Sequence, residues 1–357
     1  MTIAALFLFF SSLLGVVCAI CIAGNRGLDA MVAVTLVCLT LLSPASAAWL
    51  LGSSVVVVIS LRNAWAERHR GVTISALATL LIAALLLSRE LDAVVWVGAA
   101  YFTLRHIHVL FEWWMQKIPA PQTANYLRYQ FFLPVIMAGP IHRLPLFERQ
   151  CRRRRVTMTQ FFSGAERVLL GFASTVVLAS WAVRRLAANA NILVIDQPLF
   201  IRQWVDGAFD WLHIYFSFAG LSAIAIGLAL MCGLELEENF RRPWAARDLI
   251  DFWSRWHMTL SNWCRDYVFR PLAAASRNAL VGLIAAMLAM GLWHQTSAYY
   301  VLWAIWQSLG IALTHWLRRL PVPLPGPVSL LLGWLSVPIW LTLTKPVVLS
   351  ILNGVHP

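Results

Sequence analysis

The sequence predicts an all-α protein built as a polytopic bundle of membrane-spanning helices. Of its 357 residues, 60% are hydrophobic and only 12% are charged, whereas soluble domains carry about 25% charged residues. The mean hydropathy is +0.71, and several apolar runs approach the ~20 residues that a membrane-spanning helix needs. The 18 tryptophans agree with this class, because Trp is enriched where a membrane meets water.

Apolar runs along the chain predict about nine to eleven crossings within a single membrane domain, residues 1–357. The runs lie at 3–23, 30–60, 72–88, 92–117, 160–183, 207–233, 279–297, 298–317 and 327–351. Pro44 is expected to break the second run into two shorter helices, since proline interrupts a helix interior. The first run lacks a basic leading segment and a small-residue cleavage site, so we expect a retained span rather than a signal peptide.

Two segments do not fit the pattern of simple spans. Residues 126–149 are interrupted by Pro134, Gly139 and Pro140, and residues 240–272 mix aromatic with charged side chains. Charged groups are costly at membrane depth, and irregular backbone is tolerated there only where protein or water satisfies it. We therefore expect both segments to lie at the membrane interface or to re-enter the bundle.

The net charge of +12 comes largely from arginines in short loops between apolar runs, as in Arg152–Arg155 and Arg318–Arg319. Positively charged loops stay on the cytoplasmic side of a membrane, where they face anionic lipid. The distribution therefore favours contact with membrane lipid over binding of nucleic acid. In the same scheme the segment 184–206 is a loop on the opposite side.

The cysteines and the familiar enzyme motifs exclude several classes of chemistry. Cys18 and Cys21 form a CxxC inside an apolar helix, and no second pair accompanies them. This arrangement indicates helix packing, with no metal site and no disulfide framework. The sequence also contains no GxSxG, no P-loop, no HExxH and no GxGxxG after a strand, so the mechanisms of the common soluble enzymes do not apply.

Three positions carry histidines that could act chemically. His294 stands between two apolar runs, where a polar group is expected to face the bundle interior or a wet cavity, either functionally or as a structural bond between helices. His257 lies among charged and aromatic residues, a pattern that by itself favours an interfacial amphipathic helix over a functional site. His108 and Glu112 are spaced i,i+4, which fits a buried packing pair better than the wall of a site, because no third metal ligand is near in sequence.

Four segments and a following apolar run occur in a fixed order between about residues 98 and 317. They read MAGPIHR at 137–143, YFSFAGLSAIAIGLALMCGLELEENFRRPW at 215–244, DFWSRWHMTLSNWCRDYVFRPL at 251–272, GLWH at 291–294 and YYVLWAIWQSLG at 299–310. In this order and composition the chain resembles the membrane-bound O-acyltransferases. The branch it resembles is the bacterial one that includes alginate O-acetyltransferase and teichoic-acid D-alanine transferase.

The resemblance implies a multi-pass acyltransferase of the bacterial inner membrane. His294 matches the family's central histidine and His257 its second histidine, so His294 is expected to act on the acceptor hydroxyl. Trp293, Asn262 and Arg265 are expected nearby as walls of the site. Elementary chemistry agrees, because imidazole accepts protons near neutral pH and an alcohol attacks readily only when a base removes its proton.

The resemblance also implies the substrates. The donor would be a cytoplasmic thioester, either acyl-CoA (above all acetyl-CoA) or an acyl carrier, with no permanently bound cofactor. The acceptor would be a hydroxyl of an extracytoplasmic polysaccharide, or a periplasmic partner protein that completes the transfer. Ser217 and Ala223 replace two family aspartates and Gln295 a glycine. Two alternatives stay open: acylation of a lipid or small lipophilic alcohol, and a non-enzymatic transporter or scaffold.

Overall fold

The structure is a computed structural model that describes residues 3–22, 24–89, 96–136, 138–320 and 326–355. Within these ranges every regular element is helical and none is a strand, so the predicted all-α class is confirmed. The chain forms two compact units. The first unit comprises Met1–Gly171 and Leu221–Glu237, and the second unit comprises Phe172–Gly220 and Glu238–Pro357.

The amino-terminal half of the chain contains nine α-helices in its described residues. They are α1 (Ile3–Cys21), α2 (Arg26–Leu42), α3 (Pro44–Leu61), α4 (Ala64–Arg68), α5 (Arg70–Arg89), α6 (Ala99–Trp114), α7 (Thr123–Gln130), α8 (Leu144–Arg153) and α9 (Met158–Phe172). The break expected at Pro44 is confirmed, because Pro44 begins α3. Proline suits a first helical turn, and the Ser43 hydroxyl accepts a hydrogen bond from the Ser46 backbone N–H at 3.2 Å.

The remaining helices are interspersed with two stretches of π-helix, Ala173–Val183 and Arg265–Phe269. They are α10 (Arg184–Leu193), α11 (Leu199–Met231), α12 (Leu249–Trp253), α13 (Met258–Cys264), α14 (Arg270–Ser276), α15 (Ala279–His294), α16 (Ala298–Leu317) and α17 (Gly326–Val355). The predicted loop over 184–206 is wrong, since α10 and α11 occupy most of it. Arg184 and Arg185 end the apolar run, but they are exposed and long polar side chains do not interrupt helical hydrogen bonding.

Five helices of the described chain are long and apolar enough to cross a membrane, and two shorter ones are apolar. The five are Pro44–Leu61, Arg70–Arg89, Met158–Leu193, Leu199–Met231 and Leu331–Gly354, and the shorter pair is Phe7–Cys21 and Ala279–His294. The protein is therefore a multi-pass integral membrane protein. Fewer helices meet this standard than the crossings expected; α2 and α6, for example, have only 17 and 16 residues.

The two segments that were expected not to span consist of short helices. Residues 126–149 contain the end of α7, a 3-10 turn at Leu133–Val135 and the start of α8. In 240–272, α12 and α13 occupy much of the segment, and α14 begins near its end. None of these helices exceeds 10 residues, which is about half the length needed to cross. Their depth relative to the membrane stays a prediction.

Buried polar contacts hold the first unit together. The His106 imidazole bonds the Tyr126 hydroxyl at 2.5 Å through Nδ1 and the Ser53 hydroxyl at 2.9 Å through Nε2. The His108 Nε2 accepts a hydrogen bond from the Leu144 backbone N–H at 3.2 Å, at the start of α8. Both histidines are almost wholly buried, so they act as polar ties between helices. This is the packing role that was favoured for His108.

In the second unit α17 packs against α16 and the first part of α11. The indole of Trp306 stacks on that of Trp340 at 4.1 Å between centroids, and the buried Gln307 amide donates to the Thr344 hydroxyl at 3.0 Å. The Trp211 indole N–H donates to the Leu341 carbonyl at 2.8 Å. These contacts fix the three helices that surround the candidate site.

Candidate functional site

A cavity of about 390 Å³ lies within the second unit, and both His257 and His294 line it. Its other lining residues come from α11, α12, α15, α16 and α17 and from the turn after α12: Gly207, Asp210, Trp211, His213, Ile214, Phe218, Trp253, Trp256, Met290, Tyr299, Tyr300, Trp303, Thr344 and Lys345. Aromatic walls with a few polar groups are typical of sites that bind a small molecule.

His257 reaches the cavity from a strained turn. It stands just before α13 with φ 41° and ψ 52°, a left-handed conformation that residues other than glycine rarely adopt. The turn is held because the Met258 N–H donates to the Asn239 carbonyl at 2.8 Å and the Ser261 N–H donates to the His257 carbonyl at 2.9 Å. Backbone strain of this kind is concentrated at functional sites.

The hydrogen bonds of His257 fix its protonation. Its Nδ1 lies 3.3 Å from the side-chain oxygen of Asn239, which also accepts a 2.6 Å hydrogen bond from the Thr259 hydroxyl. Because that oxygen can only accept, Nδ1 carries the proton and Nε2 keeps its lone pair. The Nε2 atom has no hydrogen-bond partner among the described residues. Burial holds the pKa of His257 well below its ordinary value, and nearby His294 lowers it further, so both effects favour the neutral ring.

His294 is the last residue of α15 and is exposed at the cavity. Its ring stacks on Tyr300, with centroids 5.5 Å apart and planes 18° apart. The end of a helix carries partial negative charge, which favours a cation there. Gly291, one turn earlier, lets α15 approach α16 closely, because a Cβ at this position would lie 2.7 Å from the Tyr300 carbonyl oxygen.

The three other residues expected at the site fall into two groups. The Trp293 ring packs against both histidines, 5.7 Å from His257 and 4.8 Å from His294 between centroids. Asn262 and Arg265 are not among the residues that line this cavity, and Arg265 pairs with Asp266 at 3.1 Å. Both residues are close to His257 in sequence, but they do not line the cavity with it. His257 lies in the turn before α13, whereas Asn262 belongs to α13 and Arg265 to the π-helix that follows. Roles for all three stay predictions.

The structure adds an ion pair that the sequence prediction did not include. Lys345 of α17 contacts Asp210 at 2.7 Å and Asp206 at 3.9 Å, and Lys345 and Asp210 both line the cavity. These charged residues interrupt or border the apolar runs at 207–233 and 327–351. An ionisable residue in such a run is by default a functional candidate, so that signal was available.

A second, apolar cavity of about 660 Å³ shares Trp211 and Trp256 with the histidine cavity. Its other lining residues are Ala208, Leu212, Tyr215, Phe216, Pro243, Trp244, Ala246, Phe252, Trp334, Val337, Pro338, Leu341 and Thr342. The two indoles therefore line both cavities, and the histidine cavity carries more polar groups than its neighbour.

Helices long and apolar enough to cross a membrane, together with two histidines on one aromatic cavity, define the class: a multi-pass membrane protein with a histidine-lined cavity. The model of the membrane-bound O-acyltransferase family matches residues 74–325. The chain belongs to this family, and the resemblance seen in its motifs is confirmed.

The names of three similar proteins concern alginate, teichoic acid and peptidoglycan. The chain is 30% identical over 253 residues to a probable alginate O-acetylase of Pseudomonas aeruginosa, covering 67% of this chain and 48% of the relative. It is 30% identical over 243 residues to a teichoic acid D-alanyltransferase of Streptococcus thermophilus, covering 62% and 58%. A peptidoglycan O-acetyltransferase of Helicobacter pylori is 26% identical over 226 residues, covering 59% and 41%. The chain spans about half the length of these relatives.

Proposed function

We propose that this protein transfers an acyl group, above all acetyl, from a thioester donor to a hydroxyl group, with His294 as the general base. The observation that carries the proposal is one cavity lined by two imidazoles, one of which has an Nε2 without a hydrogen-bond partner among the described residues. A hydroxyl is a weak nucleophile, and an adjacent base is the usual way to activate it. The family match supports the same reaction.

The transfer is one exchange of bonds at the acyl carbon. The hydroxyl oxygen attacks the thioester carbonyl while His294 takes the hydroxyl proton. The new C–O bond forms, the C–S bond breaks, and the proton passes from His294 to the departing sulfur. Such proton transfer contributes about 10²- to 10⁴-fold to a rate, and the aromatic walls exclude water that would hydrolyse the donor.

His257 is proposed to position the acceptor. Its neutral Nε2 can only accept a hydrogen bond, and it has the lone pair to do so. A hydroxyl that donates to this atom would be held in a fixed direction. Such orientation lowers the activation barrier of the transfer, because the entropy of orienting the hydroxyl is lost on binding and not during the reaction. The His294 ring, exposed at the same cavity, then supplies the base.

The acceptor is proposed to be a glycan on the outer side of a bacterial inner membrane, or a periplasmic partner protein that hands the group on. The printed names of three relatives concern alginate, teichoic acid and peptidoglycan. In this chain Asp210 and Lys345 offer hydrogen-bond groups to a polyhydroxyl acceptor at the cavity. The donor is proposed to be acetyl-CoA, another acyl-CoA or an acyl carrier thioester, reached from the cytoplasm.

A second candidate function is acylation of a lipid or small lipophilic alcohol. The observation that favours it is the apolar cavity beside Trp211 and Trp256, which would suit a hydrocarbon chain better than a sugar. The two functions differ only in the acceptor, so one experiment can separate them.

The test combines cells and purified protein. Mass spectrometry of surface glycans and of lipids, with and without the protein, should reveal a missing acetyl ester on a glycan. Purified protein should move label from acetyl-CoA or a carrier thioester to that glycan. Ester loss confined to lipids, with transfer to a long-chain alcohol, would replace the glycan by the lipophilic acceptor. If neither class of acceptor changes in cells or receives label from either donor, acyl transfer itself is refuted.

A further inference from the structure

The four arginines at Arg152–Arg155 have different surroundings, although the sequence presents them as one basic run. The Arg154 guanidinium donates to the backbone carbonyls of Ala19 at 2.8 Å and Cys232 at 3.2 Å, so it ties separate parts of the first unit together. Arg152 reaches Glu148 at 4.0 Å. The remaining two, Arg153 and Arg155, together line one cavity, which Arg152 and Arg154 do not line.

This basic cavity has a volume of about 340 Å³ and lies entirely within the first unit. It is lined by Arg149, Gln150, Arg153, Arg155, Thr157, Gln160, Gly233 and Glu235. Positive charge predominates, with three arginines against one glutamate. In the part of the chain that the structure describes, none of these arginines forms an ion pair within 4.0 Å.

The backbone around the basic cavity is held in place. The Gln150 side chain bonds the Glu235 backbone twice, donating to its carbonyl and accepting from its N–H, both at 2.7 Å. Gly233 has φ +75°, and a Cβ there would lie 2.5 Å from the Arg155 carbonyl oxygen. The backbone segments at Gly233 and Arg155 are therefore in close contact. The Thr157 hydroxyl accepts from the Gln160 N–H at 3.2 Å, which closes the start of α9.

We propose that the basic cavity binds phosphate groups carried by a nucleotide or by an anionic phospholipid. Guanidinium groups present N–H donors in a planar fork that matches phosphate oxygens two at a time. Three such groups around one concave space suit a group with several anionic oxygens, such as a diphosphate, better than a single carboxylate. The site is separate from the histidine cavity in its residues and does not rest on the proposed acyl transfer.

The run itself provides a matched pair of variants. R153Q/R155Q removes two of the lining charges, whereas R152Q/R319Q removes the same number of charges from residues outside the basic cavity. All four side chains are exposed, so glutamine should be tolerated at each position. Melting temperatures of both variants in detergent should stay within a few degrees of wild type, which keeps folding out of the comparison.

Binding is measured on the full chain with inorganic pyrophosphate and ADP by calorimetry. In parallel, native mass spectrometry compares retention of phosphatidylglycerol with that of phosphatidylcholine. At least one phosphate probe should bind wild type, and R153Q/R155Q should weaken it at least about ten-fold, since hydrogen bonds to charged groups are strong. R152Q/R319Q should change it less than about two-fold.

The arms of the experiment identify the source of the phosphate. Binding of pyrophosphate and ADP without selective retention of phosphatidylglycerol indicates a nucleotide. Selective retention of phosphatidylglycerol without pyrophosphate binding indicates a lipid headgroup, and both together indicate a general phosphate site. The proposal is overturned if no probe binds below about 10 mM, or if both double variants weaken binding equally, because general charge attraction would then explain it.

Discussion

Two buried histidines, His106 of the first unit and His257 of the second, use their ring nitrogens in opposite ways. In the first unit both ring nitrogens of His106 are used, by Tyr126 and Ser53. In the second unit His257 uses Nδ1 to hold Asn239, while Nε2 is left without a partner among the described residues and the ring lines a cavity. Burial is nearly complete for both rings, so burial alone does not separate a structural histidine from a functional one.

What separates them is unused hydrogen-bonding capacity next to space. A buried polar atom without a partner costs about 1–3 kcal/mol, and a fold rarely keeps one without a reason. At His106 that cost is removed by neighbouring helices. At His257 it is left for a molecule that enters the cavity, which is what a binding site requires.

The largest expected effect on activity or stability comes from replacing one histidine in each unit by alanine. His294→Ala should lower acyl transfer per folded molecule by about 10²- to 10⁴-fold, because a general base is lost, with little change in melting temperature. His106→Ala should do the reverse: it should lower the melting temperature and leave transfer per folded molecule near wild type, because it breaks two buried hydrogen bonds.

Both variants are purified in detergent, and transfer is measured against the folded fraction. If His294→Ala melts much earlier yet keeps its activity per folded molecule, His294 is a packing residue. If His106→Ala is as inactive as His294→Ala while remaining stable, His106 is also needed for transfer. A ring nitrogen without a partner would then not distinguish a functional histidine from a structural one.

The second prediction concerns the close approach that positions His294. Gly291→Ala would place a methyl group 2.7 Å from the Tyr300 carbonyl oxygen, so α15 and α16 must separate. Overpacking of this kind costs about 1–3 kcal/mol, and we expect a lower melting temperature together with reduced transfer. Gly52→Ala is the control, since nothing lies within 4 Å of its Cβ position, and it should be neutral or slightly stabilising. Equal melting temperatures for the two variants would show that α15 and α16 do not need this contact.

The third prediction is a difference in pH dependence. Burial keeps the pKa of His257 well below its ordinary value, which is about 6.5 in an unfolded chain. Below pH 6.5 the unfolded state therefore binds more protons than the folded state, and stability falls as pH falls, by up to about 1.4 kcal/mol per pH unit. Asparagine tolerates the left-handed backbone. In His257→Asn, the part of this pH dependence that comes from His257 should be absent.

Melting temperatures of wild type and His257→Asn are compared at pH 7.5 and pH 5.5. The drop on acidification should be smaller in the variant. An equal or larger drop would mean that the pKa of His257 is not lowered in the folded protein, which would contradict the effect of its burial.

The smallest expected effect is at the ion pair of the histidine cavity. Lys345→Met removes the contact with Asp210, and because both side chains are partly exposed, the change in stability should stay below about 1 kcal/mol. Loss of one hydrogen-bond donor to the acceptor should raise its KM about two- to ten-fold, with kcat largely kept. If the KM for the acceptor does not change, Lys345 does not take part in acceptor binding.

The sequence alone determined the class of this protein. Long apolar runs fix membrane crossing because the bilayer requires them, and Pro44 marked a helix start because proline has no N–H to donate. The motif order that ends in GLWH gave the family, and with it the two histidines. These features depend on neighbours in the chain or on an ordered set of motifs, both of which can be read from the sequence.

Only the tertiary structure decided which residues surround those histidines. Asp210 and Lys345 meet across 135 positions of chain, and the open Nε2 of His257 follows from the contact with Asn239, 18 positions away. Asn262 and Arg265, which are much closer in sequence, do not line the cavity. The distinct surroundings of the arginines in Arg152–Arg155 likewise depend on which backbone carbonyls pack nearby. Composition and periodicity cannot supply these answers, because the direction of a side chain is set by packing between distant helices.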